Sequence, residues 1–397
     1  MTTITDKTIQ SAICSAWDSK AAESNMERWL SLGEQQDWAD SPDNCTLLTQ
    51  LFGASWYFTR FVFFRGRDIL DYFDRASRPE LSMQGILAKL HEIPRTDDLE
   101  QEFEYLRINK NLVMLQIFLG SLRDDLDQQQ QELALTNLAE ATLHTTLDLL
   151  IGETVDSAAE LSILAMGRMA GQEMNYGSDL DLIFLYDKAS GQEQNDLIRK
   201  IQSLLRHIAL PSAHGVLYEI DMRLRPHGTS GTLISPASYF IEYHQSEREI
   251  WERQMMTRCR PVLDQSGLAT GSLQTIEPFI YGTFDEEHLR REIIAMRKRV
   301  QKELGNPKGK IEIKRGVGGI MDIDFLTHFL QLKYGHEHAK LKTSSTRHAL
   351  QEAAELGLIT GEQKDSLLKA YNYLKRIESA LRVMDMKSIS AFSSNVE

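Results

Sequence analysis

Apolar positions recur at steps of three and four over most of this chain, and the pattern breaks in two places. Leu143, Leu147 and Leu150 mark one face of a helix. Leu112 to Leu122 is apolar on most sides, the composition of a helix buried inside a bundle. Pro94 opens the polar stretch Arg95 to Asp98, which reads as a loop rather than a domain boundary. Residues 1 to about 155 are therefore predicted to be mostly helical. The same periodicity returns from Ser235 onward, where Ser235 is placed to cap a helix and Pro236 to sit in its first turn. Near the end, Leu367, Ala370, Leu374, Ile377 and Leu381 continue it.

The first break begins at Leu161. LSILAMG (161–167) is a short apolar run ending in glycine, DLDLIFLYD (179–187) alternates and then becomes apolar, and GVLYEIDMRLRP (215–226) alternates throughout. These read as strands. Between the last two, Gln192 to Leu210 is helical, with Ile198, Ile201, Leu205 and Ile208 on one side. The expected class is α+β and predominantly helical: a small mixed-sheet core with helical regions before and after it. The predicted division is residues 1–125, 126–265 and 266–397. The second break, GKIEIKRGVGGIMDIDF (309–325), is Gly-rich and charged between two helical regions. There is no internal repeat and no low-complexity tract.

Asp179 and Asp181 are two residues apart in a predicted strand, so their side chains point to one face. Two such carboxylates repel unless a cation sits between them. Mg²⁺ or Mn²⁺ bound there, with a phosphate-bearing substrate completing the shell, suits nucleotidyl transfer. The plainer reading of an Asp-x-Asp pair is a solvated strand edge. Context favours the first, because these acids open an otherwise apolar strand, where unpaired carboxylates are costly. Upstream, Gly167 and Gly171 bracket a turn that also holds Arg168, and glycine lets backbone approach phosphate closely. Ser178 directly precedes the acids. Downstream, Asp221 shares a predicted strand face with Arg223, and Arg225 follows. An acid beside arginines suits a third metal ligand next to a phosphate clamp. The alternative is a surface ion-pair ladder.

The formal net charge of -13 repels phosphate backbones, which disfavours a long nucleic-acid substrate. The three cysteines, Cys14, Cys45 and Cys259, form no CxxC pair and indicate neither a disulfide framework nor a zinc site. No stretch is apolar for the 18 residues a membrane span needs, and the N-terminus lacks a signal pattern. The expectation is a soluble cytoplasmic protein.

Gly167-x-x-x-Gly171 followed by Asn175-Tyr176-Gly177-Ser178-Asp179-Leu180-Asp181-Leu182-Ile183-Phe184 resembles the nucleotidyltransferase signature. More narrowly it resembles the bifunctional glutamine synthetase adenylyltransferase/adenylyl-removing family. Three further blocks agree: Tyr218 to Pro226, Ser246 to Arg260, and Ile313 to Phe325 with Lys314, Gly318, Gly319 and Asp322. The resemblance implies two similar halves in the family's long chain, one adding AMP from ATP to a tyrosine of glutamine synthetase and one removing it with inorganic phosphate to give ADP. It implies glutamine synthetase and a PII signalling protein as partners. This chain has room for one half. Its opening Met and the position of its Asp-x-Asp favour the first, adenylyl-removing half, while Tyr334 to Glu337 and Lys314 to Asp324 also resemble the second. Three positions depart from the family's pattern: Arg168 stands where Lys is common, Ala170 where Gly is, and Asp324 where Glu is. Ala170 requires a turn with no positive φ there.

In the second break, Lys314 and Arg315 with Gly318 and Gly319 read as a loop that brings cations to nucleotide, or as an ordinary connector. Asp322 and Asp324 are either helpers at the site or a polar strand face. His336 and His338 lack the spacing of a helical metal pair and read as surface residues. Trp251 reads as core packing and Gln128 to Gln131 as a solvated helix face. A regulatory module that senses nucleotide or a PII-type protein without catalysis is the alternative from another class.

Overall fold

The structure is a computed structural model that describes residues 2–32, 41–151, 161–187, 191–246, 249–305 and 307–393. Residues 152–155 of the predicted helical region, and residues 247–248 of the block Ser246 to Arg260, lie outside these. Seven helices come first: α1 (Thr2–Ser15), α2 (Ser19–Ser31), α3 (Pro42–Ala54), α4 (Trp56–Arg65), α5 (Met83–His91), α6 (Leu99–Leu122) and α7 (Gln128–Ile151). The polar stretch after Pro94 is a loop, and its last residue caps α6: Asp98 Oδ1 accepts from the Glu100 and Gln101 N–H groups. Every residue from Leu112 to Gly120 is buried.

The central unit runs β1 (Leu161–Met166), the single turn α8 (Gly167–Ala170), β2 (Leu180–Tyr186), α9 (Gly191–Ala209), β3 (Ile220–Asp221), β4 (Ser235–Pro236), α10 (Ala237–Gln245), α11 (Ile250–Met256) and β5 (Cys259–Leu263). The sheet order is β3-β2-β1-β5, with β4 paired to the far end of β2. β1 is antiparallel to β2 and β5, and β2 is parallel to β3 and β4, so the sheet is mixed. The C-terminal part adds α12 (Leu268–Ile280), α13 (Glu286–Leu304), β6 (Lys310–Glu312), α14 (Ile320–Tyr334), α15 (Thr346–Glu355), α16 (Gly361–Asp385) and β7 (Ala391–Ser393), with β6 and β7 antiparallel. This is the predominantly helical α+β class expected.

Strand alternation explains how one small sheet joins two helical masses. Leu161, Ile163, Ala165, Leu180, Leu182, Phe184 and Tyr186 face a core shared with α1 to α7 and α9. Leu164, Met166, Ile183 and Leu185 face a second core shared with α10 to α14. Both faces are covered, which is why β1, apart from Ser162, and most of β2 are apolar.

Several local expectations are corrected. The alternating run 215–226 is not one strand; only Ile220 and Asp221 join the sheet, Gly215 makes an isolated bridge to Ser212, and the chain turns from Arg223 to Pro226. Arg225 explains the turn: its guanidinium donates to the carbonyls of Met222 and Gly231. Ser235 and Pro236 pair with β2 instead of opening a helix, and α10 begins at Ala237. Trp251 is 40% exposed rather than core. The glutamine run is only partly solvated: Gln131 is buried and donates to Tyr176 Oη at 3.1 Å, and Gln128 donates to Ser379 Oγ at 2.8 Å. On α16 the most buried side chains are not the apolar series read from the sequence. They are Tyr371, Lys375, Glu378, Ser379, Arg382 and Val383, while Ala370 is exposed. His336 and His338 lie at the surface beside Glu337, as expected.

Candidate active site

Parallel pairing puts Leu180 opposite Ile220 and Asp181 opposite Asp221. Neighbouring positions across two strands share a face, so register alone brings these acids together from 40 residues apart in sequence. Asp179 sits one residue before β2, with the same two-residue offset the sequence suggested. One carboxylate oxygen from each of Asp179, Asp181 and Asp221 lies within 4.8 Å of the other two. Asp179 is exposed and the other two are half-buried. Burial, then the charges of Asp179 and Asp221, push the Asp181 carboxyl up to about 7, against the opposing pull of Lys314 and Arg223. A group of three acids that raises its own half-buried member is short of positive charge, and its oxygen-only donor set fits Mg²⁺ or Mn²⁺.

Gly167 stands directly against this cluster. Its φ is +57°, and a Cβ there would lie 2.7 Å from Asp181 Oδ2. Both the backbone conformation and the space exclude a side chain. Arg223 folds back on Asp221: its N–H donates to Oδ1 at 2.8 Å, its Nε to Oδ2 at 2.8 Å, and its Nη2 also reaches Oδ2. That pairing holds the Asp221 carboxyl below its usual value. Lys314 is close enough for its charge to act on Asp181. Burial pushes its ammonium down to about 8, opposed mainly by the charge of Glu378.

Other residues singled out from the sequence are placed elsewhere. Gly171 has a negative φ and packs against the Arg258 guanidinium rather than bordering the acids. Arg168 turns away into the interior, with Nη2 3.0 Å from Asp324 Oδ2, Nη1 3.3 Å from Glu173 Oε2, and Nη1 donating to Tyr371 Oη at 2.5 Å. Ser178 is buried and fixes the turn before the acids: its Oγ accepts from the Asn175 N–H at 3.0 Å and from Arg382 at 3.3 Å. Arg225 braces the 222–231 loop. Gly318, at φ +70°, and Gly319 lead into α14; the Gly318 N–H donates to Asp322 Oδ2 at 2.6 Å, and Asp322 pairs with Arg297. Asp322 and Asp324 thus lie on α14, and neither joins the acidic cluster. Ala170 carries no positive φ, which satisfies the condition that its lack of glycine imposed.

What the sequence reading missed is a buried ionic network behind the acids. Glu173 accepts from Arg258 at 2.5 Å, from Tyr371 Oη at 2.7 Å and from the Thr346 N–H at 3.0 Å. Arg258 also reaches Asp324. Lys375 lies 3.2 Å from both Glu132 and Glu378, Arg347 is 2.7 Å from Glu132, and Arg382 is 3.0 Å from Glu378. Burial opposes ionisation of Glu173, but the surrounding Arg258, Arg168 and Arg347 charges outweigh it and hold its carboxyl at about 2. The network ties α7, the turn after α8, the turn before β5, α14, α15 and α16 together. It reaches the acid turn where Glu378 accepts from Asn175 Nδ2 and Arg382 donates to Ser178 Oγ. The signal for it lay in the Lys375, Glu378, Arg382 spacing on α16, a charged helical stripe.

The fold and the acid register together define a nucleotidyltransferase-like core set among helices. Residues 45–275 match the glutamate-ammonia ligase adenylyltransferase family, and residues 287–390 match the GlnD PII-uridylyltransferase family. The first match covers more than half of the chain, and the chain belongs to the glutamate-ammonia ligase adenylyltransferase family. Among its relatives is the bifunctional glutamine synthetase adenylyltransferase/adenylyl-removing enzyme of Vibrio parahaemolyticus, 30% identical over 315 residues, covering 74% of this chain and 33% of that protein. The same-named enzyme of Nitrosomonas europaea is 30% identical over 295 residues, covering 73% and 32%. That of Streptomyces avermitilis is 28% identical over 288 residues, covering 71% and 29%. The chain therefore spans about a third of the length of these relatives. No helix among the described residues is long and apolar enough to cross a membrane.

Proposed function

We propose that the Asp179–Asp181–Asp221 cluster is a metal-dependent nucleotidyltransferase site that exchanges AMP with a tyrosine of glutamine synthetase, here in the removing direction. The observation that carries this reading is the convergence of three carboxylates within 4.8 Å across β2 and β3 in a chain of this family. Asp179, Asp181 and Asp221 would hold Mg²⁺ or Mn²⁺, which neutralises phosphate charge and braces the attacking and leaving oxygens.

The chain's own residues supply position and charge. Gly167 leaves room for substrate oxygen beside Asp181, because no side chain intrudes there. Lys314 is a cation near Asp181, suited to the charge that spreads over the equatorial oxygens in an in-line displacement. Arg223, 74% exposed and anchored only on Asp221 among the described residues, can turn from the acid to a phosphate oxygen. In removal, a phosphate oxygen attacks the AMP phosphorus, the bond to the tyrosine oxygen breaks, and ADP forms as tyrosinate takes up a proton. In the adding direction, the tyrosine hydroxyl gives up its proton as its oxygen attacks the α-phosphorus of ATP, the bond to the β-phosphate oxygen breaks, and pyrophosphate leaves. Both reactions use cytoplasmic nucleotides and the same geometry.

The match of residues 287–390 to the PII-uridylyltransferase family supports a second element, a PII-type signalling protein as a partner of the C-terminal helices. One experiment tests the main reading. The chain is incubated with Mg²⁺, inorganic phosphate and adenylylated glutamine synthetase, and ADP is measured; a parallel arm supplies ATP with unmodified glutamine synthetase and measures pyrophosphate. ADP release in the first arm supports removal, pyrophosphate in the second reverses the direction, and neither product sinks the catalytic reading.

A further inference from the structure

A cavity of about 400 Å³ lies on the N-terminal side of the sheet, between α6, the Gly177–Ser178 turn, residues 215–219 and the end of α16. Its inner wall includes Tyr57, Met114, Tyr176 and Tyr218. One basic side chain enters from α6. Lys110 is 6% exposed, and among the described residues no hydrogen bond or ion pair reaches its Nζ. It stands over the Tyr218 ring, with Nζ 4.8 Å from the centroid. Burial alone pushes the ammonium down to about 8; no acid counters it. Two hydroxyls on the wall are engaged elsewhere: Tyr57 donates to Asn111 at 2.9 Å, and Tyr176 Oη accepts from Gln131. The other charged groups on the wall, Glu219, Asp385 and Lys387, are exposed at its rim.

A buried ammonium without a counterion is costly, and a methionine would fill the same space without that cost. We propose that this cavity binds a small organic carboxylate, whose charge Lys110 neutralises and whose body packs on Tyr57, Met114 and Tyr218. A single cation on an aromatic wall suits a monoanion; a phosphate dianion needs more donors than the wall offers. Ser178 and Glu219 line the same cavity and immediately precede Asp179 and Ile220, so its occupant touches both segments that carry the acids.

Benzoate serves as the probe, with thermal unfolding as the readout. At about tenfold excess over its Kd, benzoate raises the wild-type Tm by about 2 °C at pH 7. Lys110→Met unfolds at a higher temperature than wild type without benzoate and shows no benzoate shift. Lys387→Met, at the rim, keeps the shift. In wild type alone the shift shrinks severalfold at pH 9.5, where Lys110 is neutral, so the test stands even if Lys110→Met fails to fold. Absence of a benzoate shift in wild type, an equal shift in Lys110→Met, or a Lys110-dependent response to inorganic phosphate in place of benzoate each overturns the proposal.

Discussion

Arg168 Nη2 lies 3.0 Å from Asp324 Oδ2, joining the turn after β1 to α14 across 156 residues of sequence. These are two of the three positions where this chain departs from the resemblance that its motifs carry. A longer, forked cation meets a shorter carboxylate arm, so each departure suits the other in length. Arg168 uses the extra nitrogen to reach Glu173 and Tyr371 as well. The pair is structural, and the acids in front of it remain clear.

Coupling between Arg168 and Asp324 is measurable. Asp324→Ala leaves Arg168 and Arg258 to share Glu173 as their one remaining carboxylate among the described residues and is expected to cost about 3 kcal/mol in urea unfolding. Arg168→Lys and Asp324→Glu each destabilise, while the double variant recovers about 1 kcal/mol or more relative to the sum. Additive single effects would remove the claim of matched length.

The acidic cluster predicts an inverted pH response when metal is absent. Asp181 has a folded pKa of about 7, above its unfolded value near 4. Its neutral form therefore favours folding below pH 4, and that contribution is lost as pH rises to 7. Metal-free wild type should lose Tm between pH 5 and 7.5 relative to Asp181→Asn, and Mg²⁺ or Mn²⁺ should restore it. Turnover in Asp181→Asn or Asp179→Asn should fall by about 10³-fold or more with the fold retained. Full activity in Asp181→Asn would remove the metal assignment.

Glu173 titrates with the opposite sign. Its folded pKa of about 2 lies below the unfolded value, so the stability it brings is present above about pH 4.5 and is lost as pH falls toward 2. Glu173→Gln should be destabilised at neutral pH and should show a flatter loss of Tm on acidification. Parallel wild-type and variant acid curves would contradict this.

Gly167→Ala tests space at the acids. The added methyl would lie 2.7 Å from Asp181 Oδ2 in a backbone with φ +57°. Calorimetry with Mn²⁺ should show affinity lowered at least tenfold, with a stability loss of about 1–3 kcal/mol. A larger stability loss with unchanged Mn²⁺ binding would point to a purely structural glycine.

Arg223 occupies both oxygens of Asp221 in this structure. Removing it with Arg223→Ala should free a ligand and tighten Mn²⁺ binding severalfold, while turnover falls about tenfold or more through loss of a phosphate partner. Tighter binding with unchanged turnover would leave Arg223 only as a counterion.

The helices around the core and the strands β1 and β2 were legible in the sequence, because apolar periodicity is set locally by which face meets the core. The Asp-x-Asp spacing was legible for the same reason. Alternation misled at 215–226, where a run that looks like a strand is bent by Arg225 bonding to backbone carbonyls. It also misled on α16, where the buried stripe is ionic and apolarity marks a more exposed side. Buried charges carry no hydrophobic signature; they become tolerable only when distant partners surround them. Sequence alone thus determined the helical α+β class and two carboxylates on one strand face. Tertiary structure decided that Asp221 stands opposite Asp181, that Gly167 rather than Gly171 borders the acids, and that Arg168 faces inward. Strand register and ion pairing act between segments far apart in the chain, and local pattern does not specify them.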